Sequence, residues 1–425
     1  MRVLFVTNDY IGEKRAGPAI RMLELARVVA EFHEVTVASA QPSTLDLGKI
    51  NLISGARSDP GALRAAVDAS DIVVTQGVTL LAFPFLRRAK FLVIELYDPY
   101  LFEYLEHAPA RFPRWGYLRH WYLLNRQMEL GDFFICANER QWDYWIGRFC
   151  ALGRLTPEMY KLDPTFGRLL AVIPFGISST PPVHTRPVVK GVVPGISADD
   201  ILLLWAGGIW QWFDPLTLIR AMHQVSSRRS DVKLLFPGTR HPSLQMPQMP
   251  MAETAQKLAQ ELGVLNRSVF FQEGWVPKAD LQNYLLEADI GVSTYWDVVE
   301  TRFAFRTRVC EYIWAGLPMI LTRGDYFADL VERHCLGKTV AGGDVTGWTE
   351  AILDLAASRE VREGCGARVR ALAPKLYWER VAEPLLDFCR QPYHTPKPPP
   401  RRRLVPAFTW GYQYVHTALG KLRRS

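Results

Sequence analysis

The chain has 425 residues, 48% of them hydrophobic, more than one apolar core usually serves and enough for two. Its formal charge of +7 belongs to one end: residues 391–425 carry seven Lys and Arg and no Asp or Glu, which leaves the first 390 neutral and excludes a chain-wide polyanion-binding surface. Six cysteines (Cys136, Cys150, Cys310, Cys335, Cys365, Cys389) with no C-x-x-C pair argue against a zinc ribbon or a disulfide framework, and are read as reduced and buried.

The start, MRVLFVTND, turns polar after five apolar residues, too short for a signal-peptide core. Short β-branched and aromatic runs then recur with helical stretches between them: RVLFVT (2–7), EVTVAS (34–39), DIVVTQ (71–76), FLVIEL (91–96), FFICA (133–137) and AVIPF (171–175). A second series comprises ILLLWAG (201–207), VKLLFPG (232–238), SVFFQEG (268–274), DIGVST (289–294), PMILT (318–322) and KTVAGG (338–343). Continuous apolar strands alternating with helices predict an α/β fold of two doubly wound parallel sheets. Residues 178–200, rich in Pro, Gly and Ser, read as the linker. No stretch reaches the roughly 18 uninterrupted apolar residues of a spanning helix, so the expected location is the cytoplasm, with peripheral contact at the inner face of the plasma membrane left open.

In such sheets ligands lie beyond the carboxyl ends of the strands, and the loops there hold the candidate residues. Gly17 precedes a helical run after the first strand, where a helix N-terminus presents N–H groups to an anion. It lacks the G-x-G-x-x-G spacing, which disfavours a dehydrogenase, and a plain strand-to-helix turn is the alternative. Gly207 and Gly208 open WAGGIWQWFDP, in which Asp214-Pro215 predicts an N-cap and first helical position, while Trp210 and Trp212 suggest interdomain packing. In ETRFAFRTRVCEYIWAGLP (300–318) a helix from about Arg306 to Ala315, stopping at Gly316, aligns Phe305, Val309, Tyr312 and Ile313 on one apolar face and sets Glu311 off it. A carboxylate there suits a vicinal diol such as ribose, and Arg302, Arg306 or Arg308 at the helix entrance suits phosphate. The competing reading is a structural ion-pair cluster.

IPFGI (173–177), QEGWVPKADLQNYLLEADIGV (272–292) and EYIWAGLP (311–318), in that order in a two-half α/β chain, resemble the retaining glycosyltransferases of family 4, also called group 1, which have the GT-B fold. The resemblance spans about residues 1–385 and is strongest in the second half. It implies an N-terminal, acceptor-binding Rossmann-like domain over 1–185 and a C-terminal, nucleotide-sugar-binding one over 186–370. A helix over 371–392 would pack back on the first domain, and a basic aromatic tail would occupy 393–425. Glu311 matches the second carboxylate of the family's E-x7-E motif, which holds the ribose hydroxyls. Trp275 and Val276 match the G-x-V-P turn against the base, and Gly17 the glycine loop near phosphate and sugar. After the fourth expected strand, ELYDPY sets Tyr97 at the position of the family's His and keeps Asp98, a candidate to orient or deprotonate the acceptor hydroxyl, with an Asp-Pro turn as the alternative.

Two departures stand out. The first glutamate of E-x7-E falls on Phe303, and Glu300, three residues earlier, reads as an out-of-register bystander. The diphosphate-binding G-R-x4-K is missing, since Gly208 occupies the Arg position and Phe213 or Asp214 that of the Lys; Arg306 and Arg308 are the expected substitutes. No D-x-D occurs, in line with a metal-independent site in which side-chain cations neutralise phosphate.

Aromatics interleave with Arg111, Arg114, Arg119 and Arg126 over residues 100–127, and the tail joins prolines and Arg401–Arg403 to Phe408, Trp410, Tyr412 and Tyr414. Both suit an anionic membrane surface, with a packed helix hairpin as the alternative for the first; no nucleic acid is expected. The expected activity is retaining hexosyl transfer from a nucleoside-diphosphate sugar, a substrate and not a cofactor, to a hydroxyl acceptor such as a lipid-linked glycan, in cell-surface glycan or glycolipid synthesis. The alternatives are a nucleotide-sugar epimerase of the same fold and a degenerate, non-catalytic binding module.

Overall fold

A computed structural model of the chain describes residues 1–12, 17–77, 79–97, 99–111, 114–238, 250–274 and 276–397, with the side chains of 107–111 and 278 left aside. Seven parallel strands form the first sheet: β1 (Arg2–Thr7), β2 (Glu34–Ser39), β3 (Asn51–Ile53), β4 (Ile72–Gln76), β5 (Phe91–Glu95), β6 (Phe133–Cys136) and β7 (Leu170–Val172), in the order β3-β2-β1-β4-β5-β6-β7. Six parallel strands form the second: β8 (Ile201–Leu204), β9 (Val232–Pro237), β10 (Val269–Gln272), β11 (Ile290–Ser293), β12 (Met319–Thr322) and β13 (Gly337–Val340), in the order β10-β9-β8-β11-β12-β13. Each order reverses once, between β1 and β4 and between β8 and β11, which makes two topological switch points where crevices open at the strands' carboxyl ends.

The strands read as continuous apolar runs because helices cover both faces of each sheet. In β1, Val3 and Phe5 join one apolar cluster while Leu4 and Val6 join another on the opposite face. The cluster holding Val3 and Phe5 continues through Phe175 and Ile177 into Val309, Tyr312 and Leu204, so one core runs from the first sheet to the second. β3 is a strand that periodicity does not announce: it has three residues, none of them buried, and forms only an edge of the sheet.

No helix or strand lies between β7 and β8, where residues 178–200 run. After the second sheet the chain crosses back. Trp378 N donates to Ile177 O at 3.1 Å and Ile177 N to Leu376 O at 2.8 Å. The helix Glu383–Arg390 then sets Phe388 face to face on Phe133, with ring centroids 4.8 Å apart. Among the described residues no helix is long and apolar enough to cross a membrane. Residues 398–425, the core of the basic tail, lie outside the described part.

Candidate active site

The helix Thr307–Ala315 lies over the switch point of the second sheet, and its sequence explains why. Val309, Tyr312 and Ile313 are buried on one face, and the helix ends at Gly316 in the left-handed conformation with φ 70°. Tyr312 fixes it over the reversal: its Oη accepts from Ala206 N at 2.9 Å and lies 2.8 Å from both Leu204 O, at the end of β8, and Val292 O, in β11. Its ring covers Gly291, where an added Cβ would meet ring carbons at 2.6 Å. The apolar pattern marks Tyr312 as a core residue but says nothing of this polar pin.

The helix delivers Arg308 to the crevice in its first turn. Arg308 is 8% exposed and pairs with no carboxylate among the described residues. Its Nη2 donates to Gly208 O at 2.8 Å, its Cζ stands 4.1 Å from the Phe213 ring centroid and 4.4 Å from that of Trp205, and Nη1 is buried without a hydrogen-bond partner. Burial pushes the guanidinium down to about 9, still charged at neutral pH. By the resemblance Gly208 stands at the Arg position of G-R-x4-K and Phe213 or Asp214 at that of the Lys, and Arg308, from another element, contacts both Gly208 and Phe213. Gly207, with φ 97°, makes the turn that brings this backbone close.

Arg306 has a different fate. Its Nη1 and Nη2 donate to Glu300 Oε1 and Oε2 at 3.1 and 2.6 Å in a fully buried fork, and Phe213 and Tyr295 flank it at 5.0 and 5.1 Å. Burial opposes its charge, and Glu300 more than offsets this, holding the group above its ordinary value. Glu300 is therefore no bystander. The short helix Val299–Phe303 turns it inward and the chain bends back at Ala304, which brings Arg306 onto it from six residues away. Arg302, on the same short helix, is exposed. Glu311, one turn beyond Arg308, is half-buried.

Phe303 faces the other domain. Its ring stacks on Phe102 at 5.5 Å and meets Tyr144 at 5.1 Å, while its carbonyl and that of Tyr97 both accept from Gln141 Nε2, at 2.7 and 2.6 Å. Arg140 adds a 2.5 Å ion pair to Asp329 and a bond to Gly324 O. These contacts hold the domains together beside the crevice. Gly17 begins its helix against them: an added Cβ would lie 3.2 Å from Tyr97 Oη and 3.8 Å from the Thr307 methyl, so two helix N-termini converge. Trp210 and Trp212 stack on each other at 5.5 Å and pack on the core of the second sheet. Asp214 caps the helix Pro215–Ser226, as its sequence predicts. Val276 is half-buried just past β10; Trp275 and Asp98 lie outside the described residues. Among the described residues no group of three or more His, Cys, Asp or Glu is placed to hold a metal ion.

Residues 200–358 match the model of the glycosyl transferases group 1 family, which covers the second sheet and its helices. No curated protein sequence matches the chain. Solved structures similar to nearly its full length include sucrose-phosphate synthase from Thermosynechococcus elongatus (15% identity, 92% of this chain and 98% of that one, TM-score 0.64) and Anabaena HepE in complex with UDP and glucose (15%, 92% and 99%, 0.66). WaaG, a glycosyltransferase involved in lipopolysaccharide biosynthesis, is similar at 18% identity over 91% and 99% with a TM-score of 0.62. The chain has the α/β GT-B fold of two parallel sheets, and residues 200–358, which carry the second sheet, are similar to the glycosyl transferases group 1 family.

Asp325, beyond β12, supplies a titration. It caps the helix Tyr326–His334 through Ala328 N at 2.8 Å, and burial lifts its carboxyl from an ordinary 3.8 to about 6, against the opposing charges of Arg306 and Arg140. The folded chain holds this proton to higher pH than the unfolded one, so the group subtracts stability as pH rises from 4 past 6. Asp325→Asn keeps a competent cap without the charge. Relative to wild type it should gain roughly 2–3 kcal/mol between pH 4 and pH 7 in urea unfolding, and a pH-independent difference would contradict the assignment.

Proposed function

We propose that the chain transfers a hexose-like sugar from a nucleoside diphosphate to a hydroxyl acceptor with retention of configuration. The observation that carries the reading is Arg308, a buried guanidinium with an unspent donor and no carboxylate partner among the described residues, at a helix N-terminus facing a glycine turn. A diphosphate supplies the missing counter-charge: Nη1 donates to it, and the two converging helix ends and the backbone at Gly207 and Gly208 surround it. In this reading Arg306, already neutralised by Glu300, shapes the site and does not bind phosphate directly, and exposed Arg302 offers outer positive charge. Glu311 receives the ribose hydroxyls, Val276 and Trp275 lie against the base, and Asp98 orients the acceptor hydroxyl. Since side-chain cations meet the phosphate charge, the reading includes no metal and no cofactor.

The acceptor is proposed to reach the site from a membrane surface, as a lipid-linked glycan would. The helix Arg114–Leu130 packs Leu123, Leu124 and Met128 inward and turns Trp115 (71% exposed), Leu118 and Trp121 outward beside Arg114. The basic aromatic tail adds cations for anionic headgroups. Flotation with phosphatidylserine vesicles checks this: binding should fall in Trp115→Ser/Trp121→Ser and in a chain ending at 397, and undiminished binding in both would remove the membrane from the account.

The transfer reading is tested with a panel of UDP-, GDP- and ADP-sugars. Arg308→Met should lower kcat/KM for the accepted donor about 10²- to 10³-fold, because an oriented cation on a transferring phosphate is lost. Its melting temperature should stay level or rise, since a buried, unpaired charge has been removed. Glu311→Gln should raise donor KM about tenfold. Proton NMR of the product should show the donor's anomeric configuration. Wild-type turnover in Arg308→Met, or isomerisation of the donor with no sugar on an acceptor, would overturn the proposal.

A further inference from the structure

The first sheet has its own switch point, between β1 and β4, and the residues that end these strands build a polar cluster there. Gln76, the last residue of β4, is 5% exposed. Its Nε2 donates to Thr7 Oγ1, at the end of β1, at 2.9 Å and to Asp9 Oδ2 at 3.0 Å. The Asp9 backbone is tied on two sides: its N–H donates to Thr7 Oγ1 at 3.1 Å, and its carbonyl accepts from Ser39 Oγ, at the end of β2, at 3.3 Å. Asp9 is thereby fixed where the strand order reverses, the place at which open α/β sheets receive ligands.

Two acceptor atoms in this cluster are left over. Gln76 Oε1 is buried with no hydrogen-bond partner, and Asp9 takes no side-chain bond besides that from Gln76 and no ion pair among the described residues. The nearby Arg57 donates instead to Asn8 Oδ1, at 2.6 Å. Burial lifts the Asp9 carboxyl above its ordinary value, with the Gln76 bond opposing. A buried acceptor without a donor costs about 1–3 kcal/mol, and packing alone would be served better by apolar side chains. Asp9 also lies in the β1-to-helix connection that ends at Gly17, and Gly17 faces Thr307 at the start of the Arg308 helix.

We infer that Asp9 and Gln76 form a subsite that receives two neighbouring hydroxyls of a neutral carbohydrate acceptor, one on the carboxylate and one on the amide oxygen. Both free atoms accept, so the matching ligand presents two donors, as a sugar diol does. Among the described residues no cation pairs with Asp9, so a neutral diol fits the cluster better than a phosphate or carboxylate, which would meet the Asp9 charge. This inference rests on the transfer reading for the word acceptor, but binding of a diol at the cluster can be measured separately.

The test uses the full chain with the donor identified from the panel and methyl α-D-glucoside, methyl α-D-mannoside and methyl β-D-galactoside as acceptor probes. Asp9→Asn and Gln76→Met should each raise the KM of the preferred glycoside about 10- to 100-fold. Hydrolysis of the donor in the absence of glycoside should stay within about twofold of wild type, since neither residue belongs to the donor side. Unchanged glycoside KM in both variants would overturn the inference, and so would transfer to sugar phosphates combined with none to neutral glycosides. If wild type transfers sugar from no donor of the panel, the transfer reading fails by itself, and saturation-transfer NMR with the same glycosides still decides the subsite: signals lost in Asp9→Asn support it, and equal signals refute it. The melting temperature of Asp9→Asn should not fall, because the substitution removes a desolvated charge, which separates loss of binding from loss of fold.

Discussion

A guanidinium removed from water needs a counter-charge, and Arg308 has none within the described protein. The desolvation of such an ion costs several kcal/mol even after relaxation. What keeps Arg308 in place is the Tyr312 hydroxyl, which ties its helix to the ends of β8 and β11, together with the aromatic faces of Phe213 and Trp205 and the Gly208 carbonyl. The fold thus stores an unbalanced positive charge at a switch point, where a helix N-terminus points the same way. A bound anion relieves both.

The neighbouring arginine makes the contrast informative. Arg306 and Arg308 are two residues apart and both are buried, yet one is closed by a bidentate carboxylate and the other is open. Separating the roles in this way lets the first stiffen the loop at the crevice while the second stays available for a ligand. Phe303, in turn, fills the place of a motif carboxylate with a ring that stacks across the domain boundary, and Gln141 secures its carbonyl from the other side. These Phe303 contacts and the helix that carries Arg308 therefore belong to one continuous segment, residues 299–315.

Much of this is legible in the residues and some of it is not. Parallel strands buried on both faces announce themselves as unbroken apolar runs, as in IVVTQ and MILT, whereas β3, three residues at a sheet edge, leaves no pattern to read. Asp214-Pro215 and Gly316 mark helix ends because capping is local chemistry. The Glu300–Arg306 pair is hidden, since it depends on a chain reversal at Ala304 that no periodicity encodes. Tyr312 is visible only as part of an apolar stripe, its hydroxyl partners being 108 and 20 residues away. Gln76 ends β4 and Asp9 follows β1, strands that sheet topology alone makes neighbours, and the two residues are 67 apart. Phe213, at or beside the place where the resemblance expects a lysine, looks like a loss in sequence; in three dimensions its ring seats the Arg308 guanidinium, delivered by another helix.

The central claim is that Arg308 carries the diphosphate, and it is tested most directly by calorimetric titration of nucleoside mono- and diphosphates into wild type, Arg308→Met and Arg308→Lys. Wild type should bind the diphosphate of its preferred base at least about tenfold more tightly than the monophosphate, Arg308→Met should lose that preference while keeping its affinity for the monophosphate, and Arg308→Lys should restore part of it. An undiminished preference for the diphosphate in Arg308→Met would contradict the account.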